Sequence, residues 1–250
     1  MALVEYEVKD KVAYLTLNRP EKRNALNEAM FNAVMDTCKR YNDDTDAWVG
    51  ILSGTGSAFC AGLDLAEVDP KLASSVDEVY FGVMGVTKPL IAAVHGYALA
   101  QGIGVMFCCD IRVAAEGTKF GWPQVSLGIS SISAPTFAYH WLPRNWACEY
   151  AFTAELFDAK EAYERFHIVN RVVPQDKLMA TAEDIAKKIL ANGPLAVQAM
   201  KQGMMLGAEM TFEQRMRTAG LIFLQVLETE DAKEGLRAFV EKRKPVFKGK

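Results

Sequence analysis

Two segments, Ala58-Phe-Cys-Ala-Gly-Leu-Asp-Leu65 and His95-Gly-Tyr-Ala-Leu-Ala-Gln-Gly-Ile-Gly104, place glycine where strand-like sequence gives way to helix-like sequence. Glycine lets the backbone approach a ligand closely, and the first N–H groups of a helix have no internal partner, so such segments suit an anion. If the N–H groups of Leu63 and Gln101 converge, they hold one oxygen between them, as enolate-forming and acyl-transfer chemistry requires. No carboxylate follows either segment where acid–base work would use one. Taken singly, each segment also reads as a tight turn.

Other groups able to move protons are scattered. Of the three histidines, His95 ends an apolar strand and reads as structural, His140 lies in Tyr-His-Trp and His167 in Phe-His-Ile. An imidazole suits a general base, which makes His140 a candidate, although each histidine also fits as a packed residue. Ser126, Ser130, Ser131 and Ser133 offer hydroxyls without an evident histidine partner and read equally as loop serines. No His/Cys/Asp grouping has metal-ligand spacing.

The frame for these groups is set by composition and periodicity. At 250 residues and 50% hydrophobic, the chain can bury a substantial core. With a net charge of −3 and basic residues scattered outside Lys242–Lys250, there is no basic face for a phosphate backbone, and nucleic acid is not an expected partner. Five cysteines, odd in number and without CxxC spacing, point to a reducing compartment. Neither a secretory h-region nor an apolar run near the ~20 residues of a membrane helix is present, so a soluble, cytoplasmic protein with no membrane partner is expected.

Val12–Leu17, Trp48–Ser53, Leu90–Val94 and Ile111–Ala115 read as buried strands. Asn27 is a plausible N-cap for a helix carrying Met30, Phe31, Val34 and Met35, and Gly102–Cys109 suggests another helix. Strands separated by helical segments argue for β-α-β units and an α/β core. Phe120–Ser133 reads as a loop lining a cavity. Beyond Pro174 the pattern is helical over Lys177–Ala191, Pro194–Met210, Thr211–Glu228 and from Thr229 or Asp231 to Lys242, with Thr211-Phe-Glu-Gln214 as a capping pattern. The expected organisation is a core over residues 1–195 and a helical region over 196–250.

Several motifs together resemble the enoyl-CoA hydratase/isomerase, or crotonase, superfamily. They are Asn18-Arg-Pro-Glu-Lys-Arg-Asn-Ala-Leu26, the Ala58–Leu65 segment, Lys88-Pro-Leu-Ile-Ala-Ala-Val-His-Gly-Tyr-Ala98, Cys109-Asp110 and Phe120-Gly-Trp-Pro123. The resemblance runs on through Val169–Pro174 and Glu234–Lys244, over nearly the whole chain. It implies a spiral of β-β-α units with a C-terminal helical region that trimerises, giving a homo-trimer or a hexamer built as a dimer of trimers. It also implies an acyl-CoA thioester substrate, coenzyme A being part of the substrate and no cofactor bound permanently. Carried onto matching positions, the oxyanion amides are those of Leu63 and Gln101. The CoA contacts are Lys22, Arg23, Ala25, Ala61, Asp64 and Leu65, with Phe239 and Lys242 closing the nucleotide pocket of a neighbouring subunit. Lys22 and Arg23 fit equally as solvated loop charges. Of the carboxylates Asp64, Glu67, Asp69, Asp77 and Glu78, the last four lie in or near the segment from Ala66 to Met84. That segment lines or lids the acyl pocket in this family, with Tyr80 and Phe81 as substrate contacts, although a surface helix explains the acids equally.

The chain departs from the family pattern where its hydratases carry two glutamates, which here are Gly104 and Gln124. Water addition needs a base for the water and an acid for the α-carbon, and an amide supplies neither; Gln124 can position but not deprotonate. Ala100 and Gln101 replace glycines, and Trp122 replaces a smaller residue, where it could shrink the pocket, stack on a cyclic acyl group or belong to the core. The reading is an acyl-CoA thioester enzyme, a lyase or isomerase or a decarboxylase/hydrolase variant, that is not an efficient standard hydratase. The alternative is a noncatalytic acyl-CoA-binding or assembly subunit on the same fold.

Overall fold

A computed structural model describes residues 2–67 and 76–250 of the chain. Val4–Lys9 (β1) and Val12–Leu17 (β2) form a hairpin, and Val49–Gly54 (β3), Leu90–Val94 (β4), Ile111–Ala115 (β6) and Arg171–Val173 (β9) extend it in the order β1-β2-β3-β4-β6-β9. Only β1 runs antiparallel to its neighbour. The parallel strands are continuously apolar because both faces are covered. Successive side chains point to opposite faces. Ile51, Ile91, Ala93 and Val113 therefore pack under Leu178, Ala182, Ile185 and Ala186 of α6 (Leu178–Leu190). Leu52, Ala92, Val94 and Ala114 join Met30, Phe31 and Val34 of α1 (Glu28–Asp43) in the larger core, and Asn27 caps α1 by accepting the Met30 N–H at 2.9 Å.

From β4 the chain steps through His95 and Gly96 into a second sheet, made of Tyr97–Leu99 (β5), Lys119–Gly121 (β7) and Leu156–Asp158 (β8). Phe120–Ser133 is therefore not loop throughout: Phe120 and Gly121 end β7, and Pro123–Leu127 form a short 3-10 turn. Strands of three residues are too short for alternation to be visible in sequence. Val76–Met84 (α2) and Gln101–Phe107 (α3) lie against each other on the larger core, and Arg144–Thr153 (α4) and Ala159–Glu164 (α5) flank the second sheet.

Pro194–Gly207 (α7), Phe212–Leu227 (α8) and Glu230–Val240 (α9) complete the chain. Thr211 and Gln214 close a reciprocal capping box on α8, and Thr229 caps α9. Among the described residues α8 buries none of its side chains, and no helix is long and apolar enough to cross a membrane.

Candidate functional site

The two glycine segments are zipped together. Cys60 N–H donates to Tyr97 O and Leu99 N–H to Cys60 O, each at 3.0 Å. Leu26 N–H donates to Gly62 O at 2.7 Å and Asp64 N–H to Leu26 O at 2.9 Å, a parallel bridge that directs the intervening Leu63 N–H away from Leu26. Gly62 has φ +102°, and a Cβ there would lie 2.8 Å from Ala100 Cβ and 3.5 Å from Gln101 N, so only glycine permits this approach. Leu63 is thereby set beside the first N–H of α3. Among the described residues neither the Leu63 nor the Gln101 N–H donates to a protein acceptor.

Ala100, just before α3, has φ 53° and ψ −116°, a conformation that costs a residue with a Cβ roughly 1–3 kcal/mol. Ala100 N–H donates to Gly121 O at 2.9 Å, and Ser133 Oγ donates to Ala100 O at 2.8 Å, which together hold it there. One rigid peptide plane carries both Ala100 O and Gln101 N–H, so Ser133 fixes where that amide points. Ser133 in turn accepts the Trp122 Nε1–H at 3.1 Å and lies 3.0 Å from Ser131 Oγ.

At the two positions without acids, the neighbours are neutral. A Cβ on Gly104 would lie 2.6 Å from Tyr80 Cε1 and Oη, so the phenol on α2 already occupies the space of a side chain at 104. Tyr80 is 4% exposed, packs edge-on against Phe137 at 5.2 Å, and its hydroxyl has no hydrogen-bond partner among the described residues. Burial pushes the phenol well above its usual range, so it stays protonated and acts as a donor, not a base. Gln124 is 6% exposed, and among the described residues neither its amide nitrogen nor its amide oxygen has a partner. It lines a cavity of about 370 Å³ together with Trp122, Ser130, Ser131, Arg144 and Cys148. Trp122 resolves to core: it is 1% exposed and stacks parallel to Phe107 at 6.4 Å, with one edge reaching that cavity.

The expected nucleotide contacts divide into two groups. Lys22 and Arg23 are exposed on a turn; Arg23 O accepts the Ala61 N–H at 3.1 Å, and Lys22 O accepts that of buried Ala25 at 3.0 Å, which gathers these residues next to Leu63. Leu65 is 52% exposed at the same edge. The Asp64 carboxylate, by contrast, is buried and faces Arg19, with Nη1 to Oδ2 at 2.8 Å, so its side chain braces the loop. Burial raises its pKa, but the hydrogen bond from Ala66 N–H, the ion pair with Arg19 and the charge of Lys22 outweigh that and hold the carboxyl below its usual range. Phe239 and Lys242 lie at the end of α9, and among the described residues no hydrogen bond, ion pair or ring contact joins them to residues 22–65.

Other proton carriers lie elsewhere. His95 Nε2 is bonded to Gly56 O at 2.9 Å, His140 is exposed with its ring edge-on to Trp141, and His167 is exposed with φ 54°. Ser126 Oγ donates to Pro123 O. Glu67 pairs with Arg19 at 2.9 Å, Asp77 and Glu78 sit in the first turn of α2, Phe81 is exposed, and Asp69 lies outside the described residues. Arg19 and Arg144 were not singled out from sequence: an ion-pairing arginine and one lining a cavity look alike until their partners are placed.

The model of the enoyl-CoA hydratase/isomerase family matches residues 7–250. The chain belongs to this family. It is 34% identical to an (E)-benzylidenesuccinyl-CoA hydratase of Thauera aromatica, over 98% of this chain and 99% of that protein. It is 37% identical to a mevalonyl-coenzyme A hydratase of Aspergillus fumigatus, over 95% and 91%. An enoyl-CoA hydratase crystal structure from Bacillus anthracis superposes with a TM-score of 0.93 at 30% identity, covering 99% of this chain and 100% of the other. The mixed α/β crotonase fold with its C-terminal helices is thus shared, and the enoyl-CoA hydratase/isomerase scaffold of acyl-CoA thioester enzymes carries the site described above.

Proposed function

We propose that this family member binds an acyl-CoA thioester, coenzyme A entering as part of the substrate, and stabilises an enolate or oxyanion with the N–H groups of Leu63 and Gln101. The approach of Gly62 to Gln101 N, with both amides free of protein acceptors, carries this reading. Donors aimed at a developing oxyanion are each worth roughly 10²–10³ in rate. Efficient ordinary hydration is disfavoured, because Gly104, Tyr80 and Gln124 exchange no proton near neutral pH. Decarboxylation, or thioester or C–C bond hydrolysis, depends less on the missing acids and gains correspondingly. The relatives named for benzylidenesuccinyl- and mevalonyl-CoA support a scaffold open to varied acyl groups. Main-chain groups around Ala61, with Lys22, Arg23, Ala25 and Leu65, are proposed to hold the CoA moiety in a reducing, cytoplasmic setting.

The unburied α8, with exposed Phe212, Phe223 and Leu224, supports a homo-trimer or hexamer, in which Phe239, 83% exposed, and Lys242 would reach a neighbour's nucleotide pocket. A second reading, a noncatalytic acyl-CoA-binding or assembly subunit, is favoured by the same neutral set around the amides. Turnover of crotonyl-CoA, 3-enoyl-CoA and malonyl-type thioesters separates the two. Product from any of them supports the enzyme; tight binding with no product from all three supports the binder, and no binding defeats both.

A further inference from the structure

Among the described residues, the Tyr80 hydroxyl and the Gln124 Nε2–H are buried side-chain donors without a partner, and Tyr80 is the one held against Gly104 of α3. Its hydroxyl has no partner although Ser133 is near enough to influence it. The reason is that Ser133 is saturated: its proton goes to Ala100 O, and its lone pairs serve Trp122 Nε1–H and Ser131. A buried hydroxyl left without a hydrogen bond is costly, a cost that a ligand atom would remove.

Where that atom lies follows from α3. Gly104 is three residues after Gln101, about 4.5 Å along the helix axis, and the phenol sits against the Gly104 Cα at the position of its absent side chain. With a thioester oxygen on Gln101 N–H, an oxygen on the acyl β-carbon reaches roughly that span by ordinary covalent geometry. Among the described residues, those around it at 104, 80 and 124 are neutral, and Asp64 is paired with Arg19.

Resting on the acyl-CoA reading above, we propose that the Tyr80 hydroxyl donates a hydrogen bond to an acceptor oxygen on the β-carbon of the acyl group. The site then selects 3-oxoacyl or malonyl-type thioesters over unsubstituted acyl chains, and Tyr80 is its specificity-determining residue.

The test is calorimetric affinity of the intact protein and its Tyr80→Phe variant for butyryl-, acetoacetyl- and malonyl-CoA, with thermal unfolding of both in the absence of ligand. The intact protein should bind acetoacetyl- or malonyl-CoA about 10-fold more tightly than butyryl-CoA. Tyr80→Phe should erase that preference and leave butyryl-CoA affinity within about 2-fold. Because the hydroxyl has no protein partner, the variant should unfold at the same temperature or higher. A response to acetoacetyl-CoA alone assigns a carbonyl, and one to malonyl-CoA alone a carboxylate; either supports the proposal. Equal affinities in the intact protein, a preference that survives in Tyr80→Phe, or a marked loss of thermal stability would overturn it while leaving the acyl-CoA reading in place. Binding of none of the three overturns both.

Discussion

A methyl group added at residue 104 should meet Tyr80 first. The new Cβ would lie 2.6 Å from Cε1 and Oη and 2.7 Å from Cζ of the phenol, against an ordinary contact of about 3.5–4.0 Å. The ring must withdraw by about 1 Å, yet it is buried and held edge-on by Phe137. Overpacking of this kind costs about 1–3 kcal/mol. For a chain of this size that is a fall of about 2–12 °C in unfolding temperature. Tyr80→Phe should not relieve it, since the two ring carbons remain. Tyr80→Ala should, although alone it costs about 3–5 kcal/mol by opening a cavity. A urea-unfolding double-mutant cycle on Gly104→Ala and Tyr80→Ala, at fixed protein concentration, should therefore give a favourable coupling of about 1–3 kcal/mol. By the same geometry, Gly104→Glu with Gln124→Glu should gain crotonyl-CoA hydration only when Tyr80 is also trimmed. Gly104→Ala as stable as the unaltered protein, or equally costly with Tyr80 removed, would refute the placement of the phenol.

Gln124→Met removes two unpaired buried polar atoms, so it should leave stability unchanged or raise it by up to about 1–2 kcal/mol while weakening acyl-CoA binding; urea unfolding and titration read the two effects. Ser133→Ala strands the Trp122 N–H and frees the Ala100 carbonyl, which should cost about 1–3 kcal/mol in the same unfolding assay and lower turnover more than CoA affinity. Asp64→Asn breaks the pair with Arg19 and should cost about 1–3 kcal/mol at neutral pH, less than a fully buried pair because Glu67 remains. The folded Asp64 carboxyl titrates below its unfolded value, so its contribution is present above the unfolded value, near pH ~4, and is lost as pH falls through the folded one. Stability measured from pH 7 down to 3 should therefore decline less steeply in Asp64→Asn than in the unaltered protein.

Long apolar strands, the Asn27 cap and the Thr211 capping box were legible in sequence because each depends on neighbours in the chain. β1 was legible only as an alternation of Val4, Tyr6 and Val8 with Glu5, Glu7 and Lys9, unlike the continuously apolar strands, and the second sheet was not legible, since its strands are only three residues long. The amides of Leu63 and Gln101 could be named from glycine placement and family resemblance. Their shared environment could not: Tyr80 reaches Gly104 from α2, and Ser133 orients a peptide that ends thirty-odd residues earlier. Asp64 shows the reverse limit, an acid beside a ligand-facing loop whose arginine partner lies forty-five residues away.

The most direct measurement is a crystal structure with an acyl-CoA thioester or a stable analogue bound. The thioester carbonyl oxygen should lie within about 2.7–3.2 Å of both Leu63 N and Gln101 N. A carbonyl bound elsewhere, with those two amides left to solvent, would contradict it.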